Sequence, residues 1–145
     1  MKFPETADDV EREILISSDK YKELRDLRIR QLIHILPKVD SEVVVEGVIR
    51  VFEKGSGTNT YSQDQEFAGK VLESINPKTQ RHPTEVLQRV LKHWDKSVEQ
   101  FPFWLRENYG IDKLNETFAE LELTEIEKDK LDTIKWWLHL NENKA

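Results

Sequence analysis

Basic residues cluster in one segment of this sequence, and such a cluster can attract an anion or an acidic partner. Residues 78–96 carry five bases and two acids, a net charge of +3 in a chain whose net charge is −6. Arg89, Lys92 and Lys96 recur at steps of three and four, which places them on one side of a helix. We predict that Arg81, Arg89, Lys92 and Lys96 form a basic stripe for an anion or partner, and we expect this to be the only net-positive segment of any length. A solvated helix face without a ligand is the alternative, and the pattern alone favours it.

Two adjacent tryptophans, Trp136 and Trp137, form the second candidate surface. Consecutive helical residues point about 100° apart, so one narrow contact cannot bury both side chains. Trp137 aligns with Ile134 and Leu138 and is predicted to face the core. Trp136 either completes a wider core, which the pattern favours, or lies at a partner surface, where tryptophan is enriched.

The sequence contains no recognisable arrangement for catalysis or metal binding. His34, His82, His93 and His139 show none of the spacings of helical metal ligands, although His82 and His93 could meet in space. The chain has no cysteine, which excludes disulfides, thiolate metal sites and cysteine nucleophiles. Acid pairs are expected in a chain with 28 acids, and none shows the burial that acid–base catalysis requires. We therefore predict no catalytic residue, metal or cofactor.

The glycine-containing loop near residues 54–60 does not match a phosphate-binding loop. That motif reads GxxxxGK[ST] and follows a strand, with the lysine after the second glycine. Here Lys54 precedes both glycines, and no convincing strand leads into the loop. We predict a flexible linker.

These surfaces depend on the helices that carry them, above all on the stretch from Pro83 to Gly110. Its apolar residues recur at steps of four and three; they are Leu87, Leu91, Trp94, Val98, Phe101 and Leu105. The spacing predicts a core helix with Trp94 at the middle of its buried side. Pro102 has no N–H to donate, so we expect either a kink or a second helix that carries Pro102 in its first turn. Gly110 is expected to close that helix.

Residues 41–53 are the ambiguous segment. Their β-branched residues favour a strand by propensity. However, Val45, Val48, Ile49 and Phe52 match the helical template, and Asp40 or the serine after it can cap a helix. No second strand is evident to pair with this one. We predict a helix.

Capping signals predict further helices along the chain. The signals are Thr6 to Asp9, Ser62 to Gln65, Asp112, and Thr124 to Glu127. Between the first two, apolar spacing predicts one long helix from Tyr21 to Leu36, ended by a proline.

Sequential helices joined by short loops indicate an all-α fold, either an irregular multi-helix bundle or a short stack of helical hairpins. The 145 residues fit a single domain, 1–145, with a flexible loop near 54–60 and a frayed tail at 141–145. Within about residues 20–54, the piece ILPKVDSEVVVEGVIRVF resembles a HEAT-type helical repeat, in which Leu-Pro closes one helix and Asp followed by Val opens the next. The resemblance implies a HEAT-like helical-hairpin stack and no particular partner.

These observations favour a non-enzymatic helical module that binds another protein. The alternative is a small nucleic-acid or phosphate-binding regulator that uses the basic residues between 78 and 96, and an enzyme ranks third. The N-terminus does not resemble a signal peptide, and no apolar run approaches the ~20 residues of a membrane span. The absence of cysteine fits a reducing compartment, so we expect a cytoplasmic protein.

Overall fold

The computed structural model describes residues 1–140 and contains nine α-helices and no strand within them. The helices are α1 (Ala7–Asp19), α2 (Tyr21–Leu24), α3 (Leu27–Ile35), α4 (Ser41–Lys54), α5 (Tyr61–Ile75), α6 (Pro83–Val90), α7 (Gln100–Tyr109), α8 (Ile111–Glu120) and α9 (Glu125–Trp137). Short 3-10 turns follow α3 and α4. The predicted all-α class is confirmed for these residues. The predicted frayed tail, 141–145, lies outside the described residues.

The ambiguous segment 41–53 is helical, as predicted, and forms most of α4. Asp40 caps it by accepting the Glu42 N–H at 3.0 Å. The helix buries a wide apolar face that includes Val45, Val48 and Phe52. Burial on one side and a capped start therefore outweigh the strand propensity of the β-branched residues.

Helices α1 and α4 lie in close contact at the centre of the N-terminal half. Gly47 permits this approach, because a Cβ at that position would lie 2.6 Å from Val10 Cβ. The last residue of α4, Lys54, also pairs with Glu11 of α1, with an N–O distance of 3.0 Å.

The segment from Pro83 to Gly110 is two helices rather than one. Helix α6 ends at Val90, residues 91–99 form turns, and α7 begins at Gln100. The prediction of a continuous helix up to the proline is therefore wrong, whereas the placement of Pro102 in the first turn of a second helix is confirmed. Gly110 ends α7 with φ +80°, as its position suggested.

The break after Val90 is stabilised by a side chain from another helix. Gln65 of α5 is buried, and its amide donates to the His93 carbonyl at 2.8 Å and accepts from the Asp95 N–H at 2.7 Å. The Trp94 indole N–H also donates to the Val98 carbonyl at 3.0 Å. These bonds supply partners for backbone groups that a continuing helix would otherwise have paired.

The aromatic core lies where the two helices and α4 meet. The Phe101 ring is surrounded by Phe52, Trp94 and Trp104, at centroid distances of 5.5, 6.0 and 6.4 Å. Trp94 has no exposed surface. The apolar residues of the stretch are thus all buried, although no single helix presents them.

The predicted long helix from Tyr21 to Leu36 is also wrong, because Arg25 breaks it. Arg25 adopts φ +52°, and its guanidinium lies over the Tyr21 ring at 5.5 Å. After this break, α3 contacts mainly α1 and α5, while α4 contacts mainly α1, α5 and α6. This packing is that of an irregular bundle rather than of a stacked helical hairpin.

The capping predictions have mixed outcomes. Thr6 and Thr124 form the capping boxes expected of them. The capping box predicted for Ser62 and Gln65 is wrong, because the Gln65 side chain bonds to the backbone of the break after Val90. Instead, the buried Asp64 carboxylate accepts the hydroxyls of two threonines, Thr58 at 2.6 Å and Thr60 at 2.9 Å. Asp112 lies in the first turn of α8 rather than at its cap.

Candidate functional site

The predicted basic stripe is not a continuous surface in the fold. Arg89 lies on α6, which ends one residue later, whereas Lys92 and Lys96 lie in the following turns. The guanidinium of Arg89 is held by two carboxylates. It contacts Glu53 at 2.7 and 2.9 Å and Glu46 at 2.7 and 2.8 Å.

Glu46 is the centre of an ion-pair network that neutralises Arg81 and Arg89, two of the four predicted basic residues. Its carboxylate also accepts from Arg81 at 2.6 Å and from Arg50 at 2.8 Å, and its side chain is 17% exposed. The hydrogen bond from Arg89, followed by those from Arg81 and Arg50, holds the pKa of Glu46 well below its ordinary value. We call Glu46, Arg50, Arg81, Arg89 and Glu53 the Glu46 network. It joins α4, α6 and the segment before α6.

The two lysines of the stripe differ from each other. Lys96 contacts Asp129 of α9, so its charge is also matched inside the molecule. Lys92 is exposed and forms no ion pair within residues 1–140. Only one of the four predicted basic residues thus presents an uncompensated charge to solvent.

His82, His93 and the glycine loop serve the fold. His82 caps α6, because its Nδ1 accepts the Thr84 N–H at 3.1 Å. His93 packs against Gly55, which has φ +48° and leaves no room for a Cβ. Across residues 1–140, no group of three or more His, Asp or Glu side chains is placed to hold a metal ion.

Trp136 is the most exposed large apolar side chain within residues 1–140, with 62% of its surface accessible. Ile134 and Leu138 are buried and lie two residues away on either side, about 200° around the helix, so Trp136 points away from the core. Trp137 is half-buried, as predicted, and its indole N–H donates to the Lys96 carbonyl at 2.9 Å. The wider-core interpretation of Trp136 is therefore wrong for this fold.

Carboxylates lie around Trp136 on the same side of α9. Glu125, Asp129 and Asp132 precede it by eleven, seven and four residues, which places all three within about 40° of it. All three are exposed. Asp132 forms no ion pair within the described chain, while Asp129 contacts Lys96 and Glu125 lies 3.5 Å from Lys128. We call Trp136 and these three acids the outer α9 face.

The surroundings of this face hold the entire net charge of the protein. Residues 107–133 contain nine acids and three bases, a net charge of −6, so the remainder of the chain is neutral. The fold places these residues on α8, α9 and their connection. A residue count would have found this concentration, but only the fold shows that Trp136 lies within it and faces solvent.

A second surface was missed altogether. The expectation of one net-positive segment is wrong, because residues 20–38 carry six bases and two acids, a net charge of +4. In the fold, Arg28 pairs with the buried Glu13 at 2.6 Å, but Lys20, Lys22 and Arg30 form no ion pair within residues 1–140. This surface offers more free positive charge than the predicted stripe.

Comparisons with known proteins give no relative: no family model, no curated protein and no solved structure matches this chain. Within residues 1–140, no helix is both long enough and apolar enough to cross a membrane.

Proposed function

We propose that this chain is a non-enzymatic helical module of the cytoplasm that binds a basic region of a partner protein through the outer α9 face. The observation that carries the proposal is the exposure of Trp136 on the side of α9 opposite the core. An exposed tryptophan on an ordered helix is a rigid apolar anchor, and such residues dominate the binding energy of many interfaces.

The charge around Trp136 supports a basic partner. Asp132 has no counter-ion within the described chain, and the other acids of the face are matched only by exposed lysines. Lysine or arginine side chains of a partner could pair with these carboxylates while the indole contacts its apolar surface. A partner with an acidic surface would be repelled by the net charge of −6 on residues 107–133.

The alternative, nucleic-acid binding through Arg81, Arg89, Lys92 and Lys96, is less well supported. Counterion release requires basic groups that can neutralise phosphates. Arg81 and Arg89 already contact the carboxylates of the Glu46 network, and Lys96 contacts Asp129. A phosphate would have to displace these carboxylates, and only Lys92 could bind it directly.

Photo-crosslinking from a single position tests the proposal. A photoreactive phenylalanine analogue replaces Trp136, and in a matched control it replaces Tyr61, which is also exposed and lies on α5. We expect position 136 to capture a protein through a basic segment, identified by mass spectrometry of the cross-linked peptide. The yield should fall as salt is raised, because exposed charges are screened.

Equal capture from both positions, or no capture from position 136, would contradict the proposal. Binding of a labelled oligonucleotide that is lost on Lys92→Glu but kept on Trp136→Ala would favour the alternative instead.

A further inference from the structure

Helix α3 presents an exposed side that none of the functions above uses. Leu27, Arg30, Gln31 and His34 recur at steps of three, one and three, which places them together on one side of the helix. The opposite side, with Ile29 and Leu32, is fully buried. Leu27 is 46% exposed, so this is an outward side that still carries apolar surface.

These side chains line an open groove of about 560 Å³, completed by Met1 and Ile35. The groove combines apolar side chains, Leu27, Ile35 and Met1, with the charge of Arg30. Arg30 forms no ion pair within residues 1–140. It lies in the segment 20–38, whose net charge is +4. We call Leu27, Arg30, Gln31, His34, Ile35 and Met1 the α3 groove.

The α3 groove and the outer α9 face are complementary in charge, and both carry exposed apolar surface. One is an open apolar surface beside Arg30, which is unpaired within residues 1–140, and the other is an exposed indole beside carboxylates. The two surfaces also belong to different parts of the bundle, since α3 contacts α1 and α5 whereas α9 contacts α7.

From this complementarity we infer that the outer α9 face of one copy docks into the α3 groove of a second copy. The inference rests on the proposed function and names its partner: the basic region bound through Trp136 belongs to a second copy of this same chain. Trp136 inserts between Leu27 and Ile35, and Arg30 pairs with Asp132, which lies one helical turn from the indole.

The contact joins two different surfaces, so it is heterologous. A pair keeps one unused groove, on the first copy, and one unused α9 face, on the second. Further copies can therefore add until a ring closes, or continue as a chain if it does not. Single helix faces bury little area, so the association is weak and appears at high protein concentration.

Complementation between two variants tests this geometry. Trp136→Ala removes the anchor and keeps the groove. Leu27→Asp spoils the groove and keeps the anchor, and because Leu27 is the first residue of α3, an acid there is favourable for the helix. We expect the wild type to associate between ~10 µM and ~1 mM in sedimentation velocity, a range that covers weak complexes. We expect each variant alone to remain monomeric.

An equimolar mixture of the two variants should form a dimer that grows no further. In that dimer, Trp136 of the Leu27→Asp copy occupies the intact groove of the Trp136→Ala copy. Tyr61→Ala removes an equally solvent-facing side chain elsewhere and should assemble like the wild type. Circular dichroism of every variant confirms that the fold is kept.

A wild type that stays monomeric up to ~1 mM would overturn the inference, because weak complexes form by that concentration. A mixture of the two variants that forms no dimer would also overturn it. Failure of the inference is distinguishable from failure of the proposed function. If position 136 cross-links a different protein while the chain is monomeric, the proposed function stands and self-association is wrong. If position 136 captures neither, both are wrong.

Discussion

The Glu46 network and the outer α9 face are both rich in charged side chains, but the charges are matched within the molecule in the first and left mostly to solvent in the second. In the network, three arginines surround one carboxylate whose side chain is 17% exposed. On α9, three exposed acids surround an indole. Asp129 and Glu125 pair only with exposed lysines, and Asp132 forms no ion pair within residues 1–140.

The difference shows that the charge of a segment says little about the charge it offers to a ligand. Residues 78–96 have a net charge of +3 in the sequence, yet Arg81 and Arg89 are matched by glutamates of α4, about forty positions earlier in the chain. Ion pairs of this kind depend on how α4 and α6 pack. The network therefore links α4 to α6, while the outer α9 face remains exposed to solvent.

The first prediction removes the buried tryptophan of the core and has the largest expected effect. Trp94 is fully buried against Phe101, and its indole N–H donates to the Val98 carbonyl. Trp94→Ala should lower the free energy of unfolding by ~3–5 kcal/mol, because it leaves a cavity and removes a hydrogen bond. Urea unfolding measures the change. A loss below ~1 kcal/mol would mean that the core tolerates the cavity by collapse.

The second prediction removes the charge at the centre of the network. Glu46→Gln leaves Arg81 and Arg89 without their shared carboxylate. The cost should be ~2 kcal/mol, between the values for exposed and buried ion pairs. Asp132→Asn is the matched control on the α9 face, where the same loss of one negative charge should change stability by less than ~0.5 kcal/mol. Equal effects of the two variants would erase the contrast between the regions.

The third prediction concerns the pH dependence of the same contrast. The pKa of Glu46 is lowered from 4.5 in the folded protein, mainly by the hydrogen bond from Arg89. The stabilisation from Glu46 is therefore complete above the unfolded pKa and is lost as the pH falls from there toward the folded pKa. In urea unfolding, the difference between the wild type and Glu46→Gln should stay constant from about pH 7 to about pH 5 and shrink below that. A constant difference down to about pH 3 would contradict the lowered pKa.

Local sequence patterns predicted the helices well where the determinants were local. The capping boxes at Thr6 and Thr124 and the helix at 41–53 depend on side chains within one or two turns, and all three are correct. The breaks at Arg25 and after Val90 were not predictable in this way. The second break is held by Gln65, almost thirty positions away, whose amide replaces helical hydrogen bonds.

The candidate surfaces were predictable only in part, for the same reason. Apolar spacing predicted that Trp137 would face the core, and the fold confirms its orientation. The same pattern favoured a core position for Trp136, which is exposed instead. The pairing of Arg89 with Glu53 required knowledge of which helices touch. The α3 groove was not predictable from the sequence, because it follows the break at Arg25. No residue type near Leu27 indicates that break.

The last prediction compares neighbouring residues, and one of its two variants, Trp136→Ala, should have almost no effect on stability. Trp137→Ala should cost ~2 kcal/mol, since it removes the hydrogen bond to the Lys96 carbonyl and the edge contact with Phe103. Trp136→Ala should change the free energy of unfolding by less than ~0.5 kcal/mol. It loses an edge contact with Trp137, with ring centroids 4.8 Å apart, but alanine is the stronger helix former. Unfolding measures both costs. Sedimentation velocity should reverse their order, with Trp136→Ala abolishing association that Trp137→Ala retains. A large loss of stability on Trp136→Ala would mean that its ring supports the fold, and the outer α9 face would then have no free anchor.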